Sequence, residues 1–221
     1  MTVNYVSDFE AKERILEVGR RLYARGLVSG NEGNISCRVG PEEVWVTPTY
    51  ESKGFLNKDM LVKLDLDGNK LEGSYEPSSE VKMHLGIYQE HPGIMAVIHA
   101  HPITATAYAC CGKSVPADIV PEAIPMFGKE IQVMPFGMPG SSELPDHVRP
   151  FVKGNRAVLM ENHGAVTWGE SMKEAYFTME TLENYCRLYM VANIVGSPNP
   201  VPEYAAKELF LYYRELDENV L

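Results

Sequence analysis

Five of the six residues from Ile94 to His99 are apolar, and the run closes at Pro102. That pattern predicts a buried strand with an abrupt end. Its last residues, His99-Ala100-His101, constrain the chain more than any other stretch. Residues i and i+2 of a strand point to the same face, so a rigid element delivers two imidazoles together. Two convergent imidazoles suit a divalent transition metal such as zinc. A third histidine, His163, follows another apolar run, Ala157-Val158-Leu159-Met160. Three histidines and one carboxylate would form a metal site able to do chemistry. A structural or exposed pair at a strand end is the competing reading, and separation in sequence does not fix where His163 lies.

Around this strand the periodicities alternate. Ser7-Asp8-Phe9-Glu10 fits a capping box, and Ile15, Leu16, Val18, Leu22 and Tyr23 carry helical spacing to about residue 25, where Gly26 stops it. A glycine-rich turn over 29–34 precedes a strand at 35–39 and a second at 44–47. Residues 61–66 and the segment after Asp67-Gly68-Asn69 read as a hairpin. Helices are expected from about 79 to 90, 104 to 111, 142 to 152, 171 to 195 and 202 to 216. Strands are expected at 130–136 and in a hairpin over 157–168 whose tight turn holds His163-Gly164. No repeat or long linker divides the chain, so one domain over 1–221 is expected. Mixed helices and hairpins favour a largely antiparallel sheet between helical layers.

The chain has 221 residues, 45% hydrophobic and 23% charged, with a formal net charge of −10. That charge, without a basic cluster, argues against nucleic-acid or acidic-membrane partners. The N-terminal residues lack the basic-then-apolar order of a secretory signal, and no apolar run reaches the length of a bilayer span. Cys37, Cys110, Cys111 and Cys186 form no CxxC pair and read as free thiols. A cytoplasmic protein is expected.

Glu80, in Pro77-Ser78-Ser79-Glu80, is the best candidate for the carboxylate, because it opens the helix directly before the histidine strand. A first-turn acid favoured by the helix dipole is the plainer alternative. Gly33-Asn34, Thr47-Pro48-Thr49 and Ser78-Ser79 offer small hydroxyls, amides and accessible N–H groups that could hold an anion, although such residues are also ordinary turn and cap formers. His84, His91 and His147 lack comparable context. His84 is expected on a helix surface.

Taken in order, Gly33-Asn34-Ile35-Ser36, Thr47-Pro48-Thr49, Pro77-Ser78-Ser79-Glu80, His99-Ala100-His101, Pro135-Phe136-Gly137-Met138-Pro139-Gly140-Ser141 and Asn162-His163-Gly164 resemble the class II aldolase and adducin-head family. The similarity runs from about residue 9 to residue 195 and is greatest to the zinc-dependent L-fuculose-1-phosphate aldolases. It implies a three-layer α/β/α sandwich around a mostly antiparallel sheet, and a homotetramer with active sites between subunits. It also implies one zinc ion per subunit on His99, His101 and His163 with Glu80 as metal-proximal acid/base. Gly33, Asn34, Thr49, Ser78 and Ser79 would hold the phosphate of a sugar substrate. The implied reaction is retro-aldol cleavage of a ketose 1-phosphate to dihydroxyacetone phosphate and an aldehyde. A same-fold epimerase, dehydratase or decarboxylase is the alternative. A non-catalytic adducin-head-like module would be expected to lack the histidines and Glu80. Two positions depart from the aldolases. Tyr50 stands where they carry glycine, and Val120 stands where they carry a tyrosine that exchanges a proton with the oxygen of the leaving aldehyde.

Overall fold

The structure, a computed structural model, describes residues 4–220. Its centre is an eight-stranded sheet. In chain order its strands are β1 (Asn34–Arg38), β2 (Glu43–Val46), β3 (Val62–Asp65), β4 (Lys70–Glu72) and β5 (Ala96–Ala100). A separate pair follows, β6 (Val115–Pro116) and β7 (Glu130–Ile131), and then β8 (Val133–Met134), β9 (Ala157–Met160) and β10 (Gly164–Gly169) complete the large sheet. Spatial order is β4-β3-β2-β1-β5-β10-β9-β8. Every pairing in it is antiparallel except β8 with β9, as expected for a mostly antiparallel sheet.

Helices cover both faces. On one side lie α1 (Asp8–Ala24), α3 (Ile103–Cys110) and α6 (Met172–Val195); on the other lie α2 (Val81–Glu90) and α5 (Glu143–Val152). The two faces of β5 explain the layering. Along β5, Ala96, Ile98 and Ala100 join the α1/α3/α6 core with Ile15, Leu22, Met179 and Leu182. Val97 joins Met83, Ile87, Leu144 and Val148 in the other core. A strand buried on both faces has this alternation of partners without any alternation of polarity. The helix ends also follow the sequence: Ser7 and Ser171 each accept the backbone N–H three residues on, closing α1 and α6.

Two expectations are corrected, and one element went unforeseen. The strand expected over 130–136 is two strands in different sheets, β7 on β6 and β8 on β9, because the chain changes partner at Gln132. A short helix, α4 (Ala123–Phe127), carried no readable period. His84 is buried inside α2, not on its surface. Its exposure is 1%, and its Nδ1 lies 2.7 Å from Ser36 Oγ, which in turn lies 2.8 Å from the Tyr88 hydroxyl. The last helix, α7, spans Glu203–Val220. No helix among the described residues is long and apolar enough to cross a membrane.

Candidate active site

The three central strands meet at His99. It is the fourth residue of β5, opposite Asn34 of β1 on one side and Val166 of β10 on the other. It shares a face with Val97 and is fully buried, so it points towards the layer in which α2 begins. His101 lies just past the strand end. His163 arrives from the turn between β9 and β10, where Asn162 takes φ +55°, a conformation asparagine tolerates. Gly164 then has no room for a side chain. A Cβ there would lie 2.6 Å from the Ala100 carbonyl oxygen and 2.7 Å from the His101 ring.

The rings converge as expected from the sequence. Their centroids are 4.7–5.1 Å apart, and one nitrogen from each falls within 4.8 Å of the others. The tautomers follow from the outer contacts. His99 Nδ1 is 3.0 Å from the Ala165 carbonyl oxygen, which can only accept, so Nδ1 carries the proton and Nε2 a lone pair. His101 Nδ1 faces Glu32 Oε2 at 3.4 Å, and its Nε2 is likewise left unprotonated. The two Nε2 atoms are 3.0 Å apart. Two lone pairs that face each other at this distance need a cation between them. A tetrahedral zinc site sets nitrogen–nitrogen separations of roughly 3.3 Å. The donor set therefore fits a divalent ion.

Glu80 completes the cluster. It occupies the N-cap of α2 but makes no side-chain cap bond. Instead Oε1 lies 3.0 Å from His163 Nε2 and Oε2 lies 3.3 Å from His99 Nε2. Asn34 Nδ2 donates to Oε2 at 2.9 Å. Burial opposes ionisation of this carboxyl; against it act the facing imidazoles, whenever they carry a proton, and the Asn34 donor, which together lower Glu80 well below the usual carboxylate range. Burial keeps His99 neutral, down to about 3, and lowers His101 as well. Neutral imidazoles and an ionised carboxylate are the protonation states a metal requires.

The anion candidates line a cleft of about 160 Å³ beside this cluster: Gly33, Asn34, Thr49, Ser78 and Ser79 all face it. Backbone bonds stitch its walls. Thr49 N–H donates to Glu76 O at 3.0 Å and Ser78 N–H to Thr47 O at 3.1 Å. Gly33 takes φ +74° with its Cα against the His99 carbonyl, where a Cβ would come within 2.8 Å. Its smallness thus serves the packing of the histidine strand as well as the cleft. Ser78 Oγ accepts the Glu80 N–H at 3.4 Å, so the plain capping reading of that serine is also realised.

Lys53 is the residue that sequence reasoning missed. It lines the same cleft, is 1% exposed, and donates through Nζ to the Asn31 and Glu51 carbonyls. Burial lowers its ammonium to about 8 against the opposing pull of Glu51, Glu32 and Glu80. A single lysine between Ser52 and Gly54 has no period or motif to announce it. A larger apolar groove, about 780 Å³, runs between α4 and α7 and contains none of these residues.

Residues 13–190 match the family model described as class II aldolase and adducin N-terminal domain. An L-fuculose phosphate aldolase of Methanococcus maripaludis is 37% identical over 178 residues, 80% of this chain and 95% of the relative. A 3-oxo-tetronate 4-phosphate decarboxylase of Haemophilus influenzae is 33% identical over 187 residues, 83% of this chain and 89% of the relative. Among solved structures, an L-fuculose 1-phosphate aldolase superposes with a TM-score of 0.87 at 29% identity, covering 95% of this chain and 98% of that one.

Proposed function

Given that the chain belongs to the class II aldolase and adducin N-terminal domain family, we propose that it is a zinc-dependent enzyme that breaks a carbon–carbon bond next to the carbonyl of a phosphorylated sugar. The observation that carries this reading is the Glu80 carboxylate, buried between His163 and His99 and fixed by Asn34. The first reaction is retro-aldol cleavage of a ketose 1-phosphate such as L-fuculose 1-phosphate. In this reading His99, His101 and His163 hold the metal with Glu80 beside it. Gly33, Asn34, Thr49, Ser78 and Ser79 hold the phosphate. When bound, the ion supplies a Lewis acid for negative charge developing on the carbonyl oxygen.

The protein's own residues do the rest. The phosphate cleft fixes C1 and so orients C2 and C3 towards the histidines. Ionised Glu80 accepts the proton that leaves the C4 hydroxyl as the C3–C4 bond breaks. It returns a proton to C3, leaving dihydroxyacetone phosphate and an aldehyde. Asn34 holds the carboxylate in place through both transfers.

Decarboxylation of a 3-keto acid phosphate is the second reading, and Val120 favours it. Val120 packs against the apolar core and has no proton to exchange where the aldolases carry a tyrosine. Carbon dioxide departs from a carboxylate that is already ionised, whereas an aldehyde departs only as a partner takes up its hydroxyl proton. Both reactions leave the same carbanion equivalent of dihydroxyacetone phosphate, so one site serves either.

The test is metal content of the purified protein, followed by incubation with fuculose 1-phosphate, shorter ketose 1-phosphates and 3-oxo-tetronate 4-phosphate. Aldehyde or carbon dioxide release identifies the reaction. Turnover that survives complete chelation overturns both. The reading also makes the protein a cytoplasmic homotetramer of single-domain subunits (residues 1–221) with intersubunit sites, which sedimentation equilibrium checks.

A further inference from the structure

Tyr50 sits at the mouth of the anion cleft in an unusual state. Its φ is +62°, the left-handed region that a bulky side chain rarely adopts. Glycine takes this conformation without strain, and the aldolases that the chain resembles carry glycine here. Burial of the ring does not repay the strain, because Tyr50 is 83% exposed. The loop that holds it is not loose: Pro48 bridges to Pro77, and Thr49 N–H is bonded to Glu76 O. Tyr50 lines the cleft together with Thr49, Ser78, Ser79 and Lys53. Strain retained at a site edge, with no folding gain visible in the subunit, points to a gain made on binding.

We propose that Tyr50 is a specificity-determining residue whose ring closes over the phosphate end of the substrate, its hydroxyl donating to a phosphate oxygen. The proposal rests on the reading of the cleft as the phosphate site. A neighbouring wall supplies the Lys53 ammonium, and the lid formed by the ring excludes water from the charged group. Ionic hydrogen bonds strengthen when water is displaced from them. A phenol is a neutral donor, so the lid adds a contact without adding charge to the cleft. The class of substrate selected is one with a terminal phosphate monoester, against the same sugar without it.

The experiment compares Tyr50→Gly, Tyr50→Phe and Ser78→Ala with the zinc-loaded wild type. Inorganic phosphate binding is measured by calorimetry, and Tm, oligomeric state, KM and kcat are measured alongside. The Gly variant is expected to bind phosphate and phosphorylated substrate about tenfold more weakly, the effect of losing a hydrogen bond to a charged group. The loss shows in KM more than in kcat, and the Tm holds or rises as the strain is released. Tyr50→Phe, which lacks the same hydroxyl, is expected to lose the hydrogen bond as fully and to keep only the ring's exclusion of water. Phosphate affinity that is unchanged in Tyr50→Gly but reduced in Ser78→Ala overturns the lid and leaves the cleft reading standing. If Tyr50→Gly instead dissociates the oligomer at unchanged phosphate affinity, the ring serves a subunit contact and the proposal fails. If neither variant alters phosphate binding, the cleft reading fails and the lid with it.

Discussion

Glu80 occupies a helix N-cap yet leaves the helix uncapped by its side chain. An acid there could satisfy the first-turn N–H groups, and this one is turned towards His99, His163 and Asn34 instead. Replacement by glutamine keeps the shape and removes the proton acceptor. Glu80→Gln is expected to retain zinc and Tm within a few degrees while kcat falls by roughly 10²–10⁴, the usual share of a general acid–base group. Steady-state kinetics with metal analysis on the same sample checks it; unchanged kcat would remove Glu80 from the chemistry. Lys53 makes a different prediction. Its ammonium is the one lysine or arginine charge among the described residues lining a cleft that also contains Glu32 and Glu80. Lys53→Met is expected to weaken inorganic phosphate binding about tenfold and to destabilise the fold by ~1–3 kcal/mol, because the Asn31 and Glu51 carbonyls lose their donor. Calorimetric titration and denaturant unfolding separate the two effects.

At the scale of elements, the site depends on how closely β5 and β10 approach at their ends. Gly164 begins β10 beneath the His99 and His101 rings. Gly164→Ala must move either the Ala100 carbonyl or the His101 ring, and an overpacked site of this kind loses about 1–3 kcal/mol. Zinc affinity is expected to fall with stability, since His101 is one of the displaced groups; a variant that binds zinc normally would show the junction to be more yielding than its packing implies. The sequence made β5 legible because a strand buried on both faces is an uninterrupted apolar run, and the two-residue spacing of His99 and His101 follows from that geometry. The capping boxes at Ser7 and Ser171 marked α1 and α6 for a similar local reason. His84 was not legible. A histidine in a helix pattern reads as surface unless its partners are known, and here Ser36 reaches it from β1, itself held by the Tyr88 hydroxyl from one turn further along α2. The split of 130–136 into β7 and β8 depends on which strand lies alongside, which a continuous run of residues does not encode.

Across the whole molecule, the buried His84 and the Glu80 carboxylate share one acid-side pH dependence. Burial lowers His84 to about 3, from about 6.5 for a free histidine. Between those values the unfolded chain binds a proton that the folded protein refuses, so stability falls as pH drops from about 6.5 towards 3. Glu80 acts in the same direction but at lower pH. Its folded-state pKa is depressed, so the stability it contributes is present above the ordinary carboxylate range and is lost as pH falls below about 4.5. The two windows make the protein acid-labile in two stages, the first from imidazole and the second from carboxylate. Urea midpoints measured in chelator from pH 7.5 to 4 are expected to decline from about pH 6.5 downward. His84→Gln, which preserves an acceptor for Ser36, should lessen the slope of the first stage, to which His99 still contributes, and leave the steeper fall below pH 4.5 in place. A variant with the same slope as wild type between pH 6.5 and 5 would assign that stage to the other buried imidazole, His99, whose protonation in the apoprotein is opposed by the same loss of water.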